Sequence, residues 1–206
     1  HATLTTITIE KCKSSIAEEE EMVRVKSLEW LHAILIKGGE NLIPFTADVL
    51  AAILPCISHN KEAVRRHSSR VNEAMRTIIT RTKKEIDYAG IIHILGVELV
   101  KYSVPTRIAC LHWLYMLLNK DFAKVMDSLD AIFALLLKAL SDPSDEVVSL
   151  DLEVLALISA SDDNFNKFMK NLVKLFSTDS KLLSKAGLVI RQLSVLLDPE
   201  KMFRRL

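Results

Sequence analysis

From residue 129 to residue 140 the apolar positions are Leu129, Ile132, Phe133, Leu136, Leu137 and Leu140, spaced i, i+3, i+4, i+7, i+8, i+11. That spacing lays one stripe along an amphipathic helix. Asp142-Pro143-Ser144-Asp145 then supplies a turn and an N-cap, with Glu146 behind it. A second helix is predicted from Val147, Leu150, Val154 and Ile158, with Val148, Leu152 and Leu155 beside them. Its apolar arc is wide, so neighbours should cover it on two sides. The plan recurs downstream. Phe165, Phe168, Met169, Leu172, Val173 and Phe176 form a stripe, Ser177 to Ser180 a turn, and Leu182, Ala186, Val189, Leu193 and Leu196 a second stripe. Upstream, one pair is expected over about 44–80, turning at Ser58-His59-Asn60, and another over about 86–119, with Pro105 in the first turn of its second helix. A helix over 20–37, closed by Gly38-Gly39, belongs to a first pair whose partner segment, 4–15, is threonine-rich and a poor helix former. Asp198-Pro199-Glu200 has the chemistry of one more helix start.

These pairs are copies of one unit. Arg24-Val-Lys-Ser-Leu-Glu-Trp-Leu31 recurs 83 residues later as Arg107-Ile-Ala-Cys-Leu-His-Trp-Leu114, with both tryptophans in register. Leu54 to Ser58 matches Leu137 to Ser141 at the same offset, and Arg65 to Asn72 falls midway. A unit of about 41 residues lies in the range of HEAT and armadillo helical repeats. The expected fold is all-α: a solenoid of about five HEAT-type antiparallel helix pairs, cut at both ends from a longer array. The repeats fall at about 3–38, 41–80, 85–119, 126–159 and 163–198, with a further one opening at 199–206, and form a single array over 1–206. Repeats of this kind present surfaces to partners.

Composition narrows the function. Lys and Arg number 27 against 26 Asp and Glu, a net charge of +1, which disfavours a surface devoted to nucleic acid or an anionic membrane. Three widely spaced cysteines form neither a disulfide framework nor a metal cluster, so a reducing, cytoplasmic compartment is expected. The longest clean apolar run, Ala131 to Leu137, falls short of a membrane span. No phosphate-cradling glycine loop and no His-Glu-x-x-His occurs, and Cys110 and His112 have no carboxylate or second cysteine at ligand spacing. Neither catalysis, nor a cofactor, nor a metal is expected.

Four features remain as candidates. Trp30 and Trp113, each beside a core leucine, are expected to pack, with exposed partner anchors as the alternative. Arg24, Arg65 and Arg107 stand just past the turn in successive repeats, with Asp142 at the acidic place of the fourth, and predict a polar ladder between repeats. Glu18 to Glu21 lies at a helix start, where acid complements the helix dipole. The chain's one basic concentration is Arg65, Arg66 and Arg70, followed by Arg76, Arg81, Lys83 and Lys84 and interrupted by Glu62, Glu73 and Glu85. Arg65, Arg66 and Arg70 are the candidate partner-binding residues. A solvated face, an acidic partner protein, a phosphoinositide headgroup and nucleic acid are the alternatives.

Four stretches carry a more specific likeness: Ala52 to Ser58, Thr106 to Leu114, Leu135 to Val148 (LLLKALSDPSDEVV) and Ile190 to Asp198. In that order they resemble the vacuole-morphology scaffold family known in animals as ArPIKfyve and in yeast as Vac-fourteen, over roughly 23–206. The resemblance implies a middle segment of a long HEAT solenoid that scaffolds the phosphatidylinositol 3-phosphate 5-kinase (PIKfyve-type) with a Sac-domain phosphoinositide phosphatase. It implies a cytoplasmic protein, peripheral on endosomal or vacuolar membranes through its partners. It also implies self-association of the full-length protein and no binding to nucleic acid. Other HEAT or armadillo scaffolds, such as transport receptors and phosphatase scaffolds, and direct phosphoinositide or nucleic-acid binding through Arg65 to Lys84, are the alternative readings.

Overall fold

A computed structural model describes residues 18–101 and 103–197, with side chains described from residue 21 and not at 129–131. Every regular element among the described residues is helical: α1 (Glu18–Gly38), α2 (Thr46–Ile53), α3 (Glu62–Arg81), α4 (Tyr88–Leu99), α5 (Val104–Lys120), α6 (Phe122–Met126), α7 (Leu129–Ala139), α8 (Asp145–Ile158), α9 (Asp162–Thr178), α10 (Ser180–Ser184) and α11 (Ala186–Leu196), with 3-10 turns at Gly39–Phe45 and Leu54–Ser58. The segment 4–15 and the helix start at Asp198 lie outside the described residues. The chain divides into two compact units, 1–110 and 111–206, with the division inside α5.

In the first unit α1 stacks on α3 and α2 on α4, so like helices of successive repeats run side by side. Leu28, Leu31 and Leu35 of α1, Val49, Leu50 and Ile53 of α2, and Val64, Val71, Met75 and Ile79 of α3 are fully buried. Burial of this order contributes roughly 25 cal/mol per Å2 of apolar surface, far more than helix propensity does. Gly39 ends α1 with φ +49, a left-handed conformation that glycine adopts without the Cβ penalty. The continuous helical stretch 21–58 is apolar enough to pass for a membrane span, with a mean hydropathy of 1.6 over its most apolar window. Half of that window is buried in the protein, so its apolar side already serves as core. Asp87 caps α4 by accepting from the Gly90 N–H at 2.9 Å.

In the second unit α8 is the central helix, packing against α7, α9 and α11. Ile132, Phe133, Leu136 and Leu140 of α7 are buried, as are Val147, Val148, Leu152, Val154, Leu155 and Ile158 of α8. The turn between them works as the sequence predicts. Ser144 caps α8 by accepting from the Val147 N–H, and Asp142 accepts from the Ser144 N–H at 2.9 Å. Two details differ from the expected pattern. A short helix, α6, precedes α7 and is capped by Asp121. The last predicted helix is broken at Lys185 into α10 and α11. There the Lys185 ammonium donates to the Pro143 carbonyl at 3.1 Å and to the Asp145 carboxylate at 2.6 Å.

Such cross-links recur between successive repeats. Thr106 donates to the Leu54 carbonyl at 3.1 Å, Ser141 to the Asp179 carboxylate at 2.6 Å, and Lys61 pairs with Glu21 at 3.3 Å. The predicted arginine ladder takes a different form. Arg65 donates to the carbonyls of His59 and Asn60 at 2.7 and 3.0 Å, and Arg107 to the Lys101 carbonyl at 2.7 Å. Both reach back six residues and tie down their own repeat's turn. Arg24, by contrast, reaches the next repeat, at 3.8 Å from the Cys56 sulfur.

Asp151 of α8 violates the polarity pattern: it has 0% exposure, and neither carboxylate oxygen finds a hydrogen-bond partner among the described residues. Burial, with Asp142 adding to it, pushes its carboxyl well above the usual carboxylate range. A raised folded-state value means that stability is full below the unfolded value of about 4 and is lost as pH rises through the folded value. Asp151→Asn removes this titration. The variant's melting temperature should match wild type at about pH 4 and exceed it increasingly as pH rises towards neutrality. A difference that does not change with pH would show that Asp151 is not held neutral.

Candidate partner-binding surface

The candidate surface is built on α3. The helix is rich in charged and polar residues, and one side (Val64, His67, Ser68, Val71, Met75, Ile79) supplies all its buried residues. Nothing in the sequence of the opposite side favours burial, so the arginines there project outward. The structure separates the three sequence candidates. Arg65 is half-buried, and its guanidinium is already engaged with the turn carbonyls of its own repeat. Arg66 and Arg70 are exposed one turn apart. Farther along, a shallow cleft of about 230 Å3 is lined by Glu73, Arg76, Thr77, Thr80 and Arg81. The sequence alone did not single out this cleft, although Arg76 and Arg81 belong to the same basic run.

Polar neighbours shape the field around the strip. Arg76 lies 3.5 Å from the exposed Glu73 carboxylate. Glu29 of α1, hydrogen-bonded to Lys26, has its carboxyl held below the usual range, chiefly by that bond and with Arg70 among the further causes. His32 beside it is held below the usual imidazole range, first by burial and then by Arg70 and His67. His67 lies 3.7 Å from Glu29. Lys84 reaches Asn41 at 3.5 Å and Glu40 at 3.8 Å.

The other candidates fare differently. Trp113 has 0% exposure and packs as expected, but Trp30, at the equivalent position of its own repeat, is 64% exposed. The expectation that both pack is therefore wrong for Trp30. It shares an outward side of α1 with Met22 and Val23, both exposed. Glu21 is in an ion pair with Lys61, while the side chains of Glu18 to Glu20 lie outside the described residues. Burial pushes the thiols of Cys56 and Cys110 above their ordinary range, away from the reactive thiolate. His112 is exposed, and among the described residues no group of three or more His, Cys, Asp or Glu could hold a metal.

Two-helix repeats at a 41-residue register, with paired like helices and a charged outer strip, place this chain in the class of helical-repeat proteins of the HEAT and armadillo type. No family model matches the chain. It is 38% identical to the Protein VAC14 homolog of Arabidopsis thaliana over 92% of its own length and 26% of that protein's. It is also 27% identical to the Vacuole morphology and inheritance protein 14 of Saccharomyces cerevisiae, over 93% of this chain and 23% of that one, and 28% identical to the Schizosaccharomyces pombe Protein VAC14 homolog, over 88% and 24%. The chain belongs to the Vac14 family, and it spans about a quarter of the length of these relatives. A designed armadillo repeat protein aligns structurally with a TM-score of 0.46 at 17% identity, over 98% of this chain and 86% of that one.

Proposed function

We propose that this chain is a non-catalytic scaffold segment that helps organise the phosphatidylinositol 3-phosphate 5-kinase and a Sac-domain phosphatase, and so regulates phosphatidylinositol 3,5-bisphosphate on endosomal and vacuolar membranes. The observation that carries the reading is homology along nearly the whole chain to proteins named for vacuole morphology. The helical-repeat build supports it. Stacked helix pairs hold an extended rigid surface, and tethering two enzymes to one surface raises their effective concentration on a shared lipid by orders of magnitude. Membrane contact is indirect, through the partners, which fits a net charge of +1. Full-length protein, with and without residues 18–197, is to be immunoprecipitated from cells. Wild type should bring down both kinase and phosphatase, and the deletion should lose at least one of them. Unchanged recovery of both enzymes by the deletion would overturn the assignment of this segment.

A further inference from the structure

The outer side of α3 carries exposed arginines that form no direct ion pair among the described residues, although Arg70 contributes to the field at Glu29. Arg66, Arg70 and Arg81 are exposed, and none lies within ion-pair distance of a carboxylate among the described residues. At 100° per residue, Arg70 and Arg81 fall within about 20° of one another around the helix and Arg66 within about 40° of Arg70. Arg66 to Arg81 therefore makes a single edge about 22 Å long at 1.5 Å per residue. The cleft lined by Glu73, Arg76, Thr77, Thr80 and Arg81 lies at its far end.

We propose that this edge binds an extended acidic segment of a partner protein, with carboxylates opposite Arg66, Arg70 and Arg81. At about 3.3 Å per residue, about seven extended residues cover the edge. Two observations select a peptide over a phosphate-bearing lipid or nucleic acid. Glu62 and Glu73 are exposed on α3 among the arginines. A uniformly anionic surface would be repelled there, whereas a peptide can place neutral residues opposite them. The second observation is the hydrogen-bonding state of the cleft. Thr77 donates its hydroxyl proton to the Glu73 carbonyl at 2.9 Å, and Thr80 donates to the Arg76 carbonyl at 2.8 Å. With its proton committed, the Thr77 oxygen offers only acceptor capacity, which suits a peptide N–H group and not a phosphate oxygen. This site rests on the scaffold reading for the existence of a partner, and it supplies that reading with a contact surface.

The test uses the 206-residue chain and a fluorescein-labelled peptide of alternating glutamate and glycine, with a glutamine-for-glutamate peptide as control. In anisotropy titrations the glutamate peptide should bind more tightly than the control, and more weakly as salt rises. The triple variant Arg66→Glu, Arg70→Glu, Arg81→Glu should lose about tenfold or more in affinity, since three exposed pairs each contribute modestly. Its circular dichroism melt should be unchanged. If it does unfold, the triple Arg→Gln variant reads the same loss without introducing repulsion. Equal binding of the two peptides, or equal binding by wild type and variant, overturns the proposal. So does sedimentation with phosphatidylcholine vesicles carrying phosphatidylinositol 3,5-bisphosphate that the triple variant abolishes, since the edge is then a lipid site. Peptide binding that persists when the full-length protein captures neither enzyme would overturn the scaffold reading alone. Capture of the enzymes without peptide binding would overturn this site alone.

Discussion

Replacing Trp113 by alanine is expected to destabilise the protein by about 3–5 kcal/mol, the range for large aromatic truncations in cores. Trp113 has 0% exposure and is among the largest fully buried side chains, so its removal leaves a cavity that the surrounding core can fill only in part. Trp30→Ala is the internal control. It stands at the same repeat position but is 64% exposed, and should change stability by less than about 1 kcal/mol. Urea melts of the two variants check the pair. A Trp113 variant within about 1 kcal/mol of wild type would mean that the ring is not part of the core.

Leu136→Asp should be more severe. Leu136 lies at mid-stripe on α7 with 0% exposure, and α7 packs against α8, which in turn carries α9 and α11. A carboxylate there would be buried without a partner, a cost above about 4 kcal/mol and beyond the ordinary range for one substitution. In a repeat array each unit is stabilised by its neighbours, so the loss should spread. Amide hydrogen exchange is expected to show lost protection in α8 and α9 as well as α7. Protection retained everywhere outside α7 would show that the repeats of this unit are not coupled.

How far the candidate surface was legible in the sequence depends on the residue. Arg65, Arg66 and Arg70 look alike in a basic run. Arg65 differs only because its repeat position, six residues past a turn carbonyl, lets its guanidinium reach back, as Arg107 does to Lys101. The recurrence of arginine at that position was a readable signal, but its geometry was not. That Thr77 and Thr80 donate to the carbonyls of Glu73 and Arg76 could be anticipated, because threonine in a helix commonly donates to the carbonyl four residues before it. That these two side chains share a cleft with Arg76 and Arg81 could not.

The sequence by itself determined the helices and their order, because the 3.6-residue spacing of apolar side chains and the turn chemistry at positions such as Asp142 to Asp145 are local properties. It also determined the repeat, because a unit that buries its apolar face against its own copy must preserve that face in each copy. The tertiary structure decided what covers each face. Val71, Trp113 and Val154, at matching positions, are buried, while Trp30 is exposed, because burial depends on a neighbour supplied from another part of the chain and not on the residue itself. It likewise decided that Asp151 lies in the core with no hydrogen-bond partner among the described residues, a placement that the polarity of its side chain argues against. Asp151 stands four residues after Val147 and four before Leu155, in the middle of the buried stripe of α8, and that helix packs on three elements, so the carboxyl is closed off from water.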